Sequence, residues 1–226
     1  MLIVAIDTSG RNGSVALCRG DATGYEVIGL AALQGGTYSA RLVPRIAELL
    51  DGSQFTKSQV EGLVVVDGPG SFTGLRVGIA TVKALCEARR KPLAVVSMLE
   101  ALAVTYGHNG EVVTAVLDAG RGEVYQGEYE IVSQLAELRQ QSILKLTDCS
   151  DQLSAAKSRV VTTFSQAAGV LAAAEVDVDL VKPLQADAIG YIGLRKLLAG
   201  ETADPATLDA NYIRRSDAEL FFPPKH

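Results

Sequence analysis

The chain has 226 residues, 48% of them hydrophobic and 21% charged. That composition is globular, suits one large or two small domains, and excludes a disordered chain. Its 21 Lys and Arg against 26 Asp and Glu give a net charge of −5, which excludes a domain that holds nucleic acid by bulk charge.

The apolar run Leu2–Ile6 is stopped by Asp7 and has no basic flank, so it predicts a strand rather than a signal peptide. No stretch approaches the roughly 18 apolar residues of a membrane span. Turn residues from Thr8 to Gly13 lead into a strand at Ser14–Leu17, and a third strand is expected over Tyr25–Ala32. This is a meander; a Rossmann unit would place a helix straight after the first strand. Leu42, Val43, Ile46, Leu49 and Leu50 predict a helix over Ala40–Leu50, and a short helix is expected with Thr56 as N-cap. Gly62–Val66 reads as a strand covered on both faces. A long helix over Leu75–Arg90, a strand at Leu93–Val96 and a Ser97-capped helix over Met98–Tyr106 follow.

His108-Asn109-Gly110 marks a domain crossing. Beyond it come a strand at Val112–Leu117, a turn at Asp118–Gly122 and a strand at Glu123–Ile131; Ser133–Arg139 reads as helix or loop. A strand at Arg159–Phe164, helices over Ala167–Ala174 and Ala188–Leu198, and an extended tail from Asp204 to His226 complete the pattern. The expected division is a lobe of residues 1–106, completed by a segment within 186–226, and a smaller lobe of residues 107–185. Val4-Ala5-Ile6-Asp7-Thr8 and Ala115-Val116-Leu117-Asp118-Ala119 both run an apolar strand into Asp and a small residue, an echo that suggests two related halves.

The most informative stretch is Gly68-Pro69-Gly70-Ser71-Phe72-Thr73-Gly74. It joins a buried strand to a helix N-terminus, where free N–H groups and the helix dipole favour an anion. Either it cradles a phosphate or carboxylate with Ser71 and Thr73 as donors, or it is a tight turn with a hydroxyl cap. It lacks the lysine and spacing of a Walker loop, and its third glycine comes one residue late for GxGxxG. Asp7, Asp67 and Asp118 each end a strand; such carboxylates either hold Mg²⁺-nucleotide or close their own turns.

Covalent catalysis has little to build on. There is no GxSxG elbow, Ser71 or Cys86 would need a neighbouring base, and the histidines are only His108 and His226. The cysteines Cys18, Cys86 and Cys149 are scattered without a CxxC pair, which fits a reducing cytoplasm and argues against disulfides and zinc knuckles. The helix from Leu75 is apolar nearly all round, so it is expected to be buried on more than one side. Gly74 and Gly78 on one face would let another helix approach.

The string from Met1 to Asp7, Ser14–Leu17, Gly68–Gly78, Asp118-Ala119, Gly122–Tyr125 and Asn211-Tyr212-Ile213-Arg214 closely resembles the TsaB (YeaZ-like) family, in order and over nearly the whole chain. It departs from that family at Tyr38, where a His is common, at Gly120, where an Arg is common, and at Ala210 in place of Pro. The resemblance implies an α/β, actin-like (ASKHA) fold of two related lobes, each a mixed sheet with flanking helices. It also implies a cytoplasmic, non-catalytic companion in bacterial synthesis of threonylcarbamoyladenosine on tRNA. Such a subunit binds the catalytic TsaD-type paralogue, shares a complex with a TsaE-type ATPase, forms a homodimer when alone, and meets tRNA only through the complex.

The paralogue's paired metal-binding histidines fall at Met98 and Leu102 here, so no metal site and no metallopeptidase activity are expected. No catalytic residue is assigned and no cofactor is required. Weak ATP or ADP with Mg would draw on Asp7, Thr8, Ser9, Gly68, Gly70, Ser71, Thr73, Gly74 and Asp118. A nucleotide-dependent phosphotransferase of the same fold is the alternative. The expected partner surface is Gly74, Arg76, Val77, Gly78, Ala80, Thr81, Ala84 and Ala88, where homodimer and paralogue would compete. Gly78→Glu is then expected to stay folded and lose both assemblies.

Overall fold

In the computed structural model, which describes residues 1–156, 158–211 and 213, the first apolar run lies at the centre of a sheet. The elements up to the first crossing are β1 (Leu2–Asp7), β2 (Asn12–Gly20), β3 (Tyr25–Gln34), α1 (Tyr38–Gly52), β4 (Gly62–Gly68), α2 (Phe72–Arg89), β5 (Leu93–Ser97) and α3 (Met98–Tyr106). The sheet order is β3-β2-β1-β4-β5. The first three strands form the antiparallel meander, while β1–β4 and β4–β5 are parallel. Every residue of β1 is buried, as a central strand covered on both faces requires.

The second set is β6 (Val112–Gly120), β7 (Glu123–Val132), β8 (Leu135–Lys145), α4 (Leu146–Ala156), β9 (Arg159–Thr162), α5 (Ser165–Ala173), β10 (Val178–Leu180) and α6 (Ala186–Ala199). Its sheet order, β10-β9-β6-β7-β8, is the first order read backwards. β6–β7 and β7–β8 are antiparallel, and β6–β9 and β9–β10 are parallel. The pairing therefore repeats strand for strand, and the two echoing Asp segments fall on the equivalent central strands β1 and β6. Two mixed five-stranded sheets with flanking helices make the fold actin-like.

The chain divides into one unit of Met1–Ala101 with Pro183–Ala210, and a second built on Leu102–Lys182. In the first, α6 returns to the sheet it does not follow in sequence. The Ser14 hydroxyl accepts the Ala186 N–H at 2.8 Å, and the Tyr25 hydroxyl donates to the Asp187 carbonyl. In the second, Val116, Val124, Cys149, Leu153 and Leu171 are the centre of the core.

Several expectations are corrected. No helix starts at Thr56; its N–H and hydroxyl both donate to Gln59 Oε1, closing a turn. Ser97 does not cap α3 through its hydroxyl, which has no partner; instead Glu100 Oε2 accepts the Ser97 N–H at 3.3 Å. Ser133–Arg139 is neither helix nor loop but a two-residue turn and the start of β8. The helix expected from Leu75 begins at Phe72, because Ser71 is its N-cap. The sequence pattern predicts neither α4 nor β10. The end of the tail, with Tyr212, Arg214 and His226, lies outside the described residues. Among the described residues, no helix is long and apolar enough to cross a membrane.

Candidate functional site

The loop between β4 and α2 forms against the turn that follows β1. Ser71 donates its N–H to the Ser9 carbonyl at 2.6 Å, and its hydroxyl accepts the Gly74 N–H at 3.3 Å, so Ser71 caps α2. Such a cap is worth about 1 kcal/mol to the helix. Gly74 and Gly78 then lie flat on the same turn. A Cβ on Gly74 would collide with the Thr8 carbonyl oxygen and sit 3.3 Å from Tyr38 Cε2; one on Gly78 would collide with Thr8 Oγ1. Both glycines are required by this close approach within the first unit.

That geometry corrects the expected partner surface. Gly74 and Gly78 face inwards, so Gly78→Glu would drive a carboxylate into Thr8 and is no longer expected to leave a folded protein. Nor is α2 buried on several sides. Its buried stripe is Gly74, Leu75, Gly78, Ile79, Val82 and Cys86, whereas Arg76, Ala80, Ala84 and Ala88 are exposed and Val77 and Thr81 half-buried. At the N-terminal end of this outer face the Arg76 guanidinium stacks on Phe72, 3.8 Å from the ring centroid. Lys83 ties another edge of α2 to the C-terminal segment through the Leu208 carbonyl at 2.9 Å. Between α1 and α2 runs an apolar groove of about 260 Å³, lined by Ala47, Leu85 and Ala88 and by Val43, which is 54% exposed. Lys57, Arg89 and Lys91 rim it.

Two of the three strand-end aspartates, Asp7 and Asp118, close their own turns. Asp7 Oδ1 accepts both the N–H and the hydroxyl of Ser9, at 2.8 and 2.6 Å; Asp118 Oδ1 accepts the Gly120 N–H at 2.8 Å. The i→i+2 bond thus recurs on the equivalent strands of the two units. Burial raises Asp7 above the usual carboxylate range, and the Ser9 bonds only partly offset it. Asp118 is exposed and belongs to the second unit.

Beside the α2 N-terminus a cavity of about 900 Å³ is lined by Arg11, Tyr38, Ser39, Ser71 and Thr73. Tyr38, the residue in place of the common His, donates its hydroxyl to the Gly10 carbonyl at 2.8 Å. Arg11, Tyr38 and Ser39 could not be placed here from the sequence, since they come from the turn after β1 and the start of α1. All three cysteines are free and buried, and burial pushes each thiol up to about 11, so none is a ready thiolate near neutrality. Leu102 is fully buried and His108 is exposed in a turn.

These features define a class: an actin-like protein of two equivalent units whose strand-end Asp7 and Asp118 serve turns and whose α2 presents small and apolar residues outwards. The sequence model of the family described as "TsaD: tRNA N6-adenosine threonylcarbamoyltransferase" matches residues 34–218. The tRNA threonylcarbamoyladenosine biosynthesis protein TsaB of Bacillus subtilis is 35% identical over 61% of the chain, and that of Haemophilus influenzae 37% over 55%. These matches cover 58% and 52% of those proteins, so the chain spans little more than half the length of the curated relatives it matches. A solved Pseudomonas aeruginosa structure, described as an uncharacterized protein with similarity to peptidase YEAZ, superposes with a TM-score of 0.77 at 25% identity, covering 94% of this chain and 99% of that one. The chain belongs to this family, and within it to the TsaB/YeaZ proteins.

Proposed function

We propose that the protein acts in tRNA threonylcarbamoyladenosine biosynthesis as a non-catalytic subunit in the cytoplasm, docking the catalytic TsaD-type paralogue on the outer face of α2 and the adjoining groove. The observation that carries this reading is the face itself. Ala80, Ala84 and Ala88 are exposed one turn apart beside half-buried Val77 and exposed Val43, and small side chains let a partner helix come close. Apolar area removed from water there contributes roughly 25 cal/mol per Å², less the costs of association. In isolation a second copy covers the same face, so homodimer and paralogue complex exclude one another. A TsaE-type ATPase and tRNA join through the paralogue, in keeping with the net charge of −5.

The turn-closing roles of Asp7 and Asp118 and the high thiol pKa values support an accessory rather than a catalytic part. The alternative, a Mg²⁺-nucleotide phosphotransferase, draws on the cavity beside Ser71 and Thr73. It would have to bind without the Asp7 oxygen and the Ser71 N–H, which Ser9 already occupies.

Ala84→Glu tests the docking reading, because the position is exposed and the fold should tolerate it. The expected result is an unchanged unfolding midpoint and an affinity for the co-purified paralogue at least about 100-fold weaker, a loss of about 2.7 kcal/mol. A folded Ala84→Glu protein that pairs as tightly as the parent would defeat the proposal. Turnover of Mg-ATP by the isolated protein would favour the alternative.

A further inference from the structure

The parallel strands β4 and β5 end side by side, and a bulge between Val66 and Gly68 leaves Asp67 as the extra residue next to Ser97. Two buried polar atoms there have no hydrogen-bond partner: Asp67 Oδ1 and Ser97 Oγ. The same strand ends carry an ion pair, Lys196 Nζ to Glu100 Oε1 at 2.7 Å, with side chains only 17% and 8% exposed. Lys196, from α6, also donates to the Val95 carbonyl at 3.1 Å, and Glu100, from α3, accepts the Ser97 N–H. On the other side of β4, the buried face of α2 is Gly74, Leu75, Gly78, Ile79, Val82 and Cys86, which adds no charge. From β1, Asp7 holds its own turn. The cluster therefore contains two carboxylates and one ammonium, and an ionised Asp67 is a surplus buried anion.

We propose that Asp67, Glu100 and Lys196 form a proton-operated latch on the loop Gly68–Ser71, which carries the N-cap of α2. With a proton on Asp67 the charges balance, and its O–H adds a donor beside the unpartnered Ser97 hydroxyl. When the proton leaves, repulsion from Glu100 and the cost of burial drive the carboxylate outwards, and the adjoining loop moves with it. Burial first and Glu100 second push Asp67 up to about 6; its own backbone N–H and Lys196 pull the other way. The folded value lies above the ordinary 3.8, so the native state binds the extra proton. Stability contributed by the latch is present below about pH 4 and is lost as pH rises through about 6. Asp7 titrates in the same direction, so the test compares variants rather than the parent alone.

The experiment is an NMR titration of the purified chain, following the Asp67 carboxyl carbon and the amides of Gly68, Gly70 and Ser71. The expected result is one common step near pH 6. That step is absent from the loop amides of Asp67→Asn, whose unfolding temperature falls less between pH 5 and pH 7.5 than the parent's. Glu100→Gln is expected to move the Asp67 midpoint down by about one unit or more. An Asp67 midpoint near 4, a loop step that survives in Asp67→Asn, or a midpoint unmoved in Glu100→Gln would each overturn the latch.

Discussion

Gly74→Ala is expected to destabilise the protein by about 3 kcal/mol or more, measured by urea unfolding, although alanine is normally the better helix former by roughly 1 kcal/mol. The added Cβ meets the Thr8 carbonyl oxygen, a backbone atom at the end of a central strand that cannot swing aside as a flexible side-chain tip can. Ser71 is bonded to Ser9 on the same turn, so relief by sliding α2 outwards would also break the N-cap region. Gly169→Ala in α5 is the control: nothing lies within 4 Å of its added Cβ, so the ordinary propensity gain of about 0.5–1 kcal/mol should appear there. If the two substitutions have similar effects, α2 does not rest on the β1–β2 turn as described.

The elements that could be read in advance are those whose burial writes a plain pattern. Leu63–Val66 is a continuous apolar run because β4 lies inside a sheet with both faces covered. Gly68-Pro69-Gly70 punctuates its end. β8 was illegible for two physical reasons. It is an edge strand whose middle residues, Glu137 to Gln140, are all exposed, so no inside–outside alternation marks it. Its turn, Ser133-Gln134, holds both residues at positive φ, 52° and 65°, where Asn-Gly would have announced a hairpin. α4 was hidden because its buried stripe of Leu146, Cys149, Ser150 and Leu153 is half polar or weakly apolar.

At the site, the spacing of Gly74 and Gly78 correctly marked a close approach but could not say to what. A partner helix and the chain's own Thr8 ask for the same small residues, and only the tertiary fold decides between them. Asp67 was visible as a strand-end carboxylate. Its surroundings were not, because the bulge and the two charges beside it come from β4, α3 and α6, which sequence periodicity does not bring together. The repeated Asp7 and Asp118 turns were the reverse case: a short local bond, written in neighbouring residues and therefore readable twice.

Lys196→Met is expected to cost about 3–5 kcal/mol at pH 8, much of a total that is about 5–15 kcal/mol for a typical domain. Met keeps an unbranched apolar stem for packing, so the loss comes from what the ammonium leaves behind. Glu100 stays buried with no counter-charge, and the Val95 carbonyl loses its donor. An exposed pair would cost only about 0–1 kcal/mol; at 17% and 8% exposure this one should not behave so. The sign of the pH effect follows from the same geometry. Burial first and Glu100 second push Asp67 up to about 6, and Lys196 pulls it the other way. Without Lys196 Asp67 is pushed further up, the native state keeps a proton the unfolded chain has lost, and the defect shrinks as pH falls. Unfolding at pH 5 should therefore show a smaller penalty than at pH 8. The double variant Lys196→Met with Glu100→Gln should recover most of the loss at pH 8, because a neutral amide can still accept the Ser97 N–H without stranding a charge. A penalty under 1 kcal/mol for the single variant, or one that grows on acidification, would mean that the pair is solvated and does not tie α6 to the strand ends.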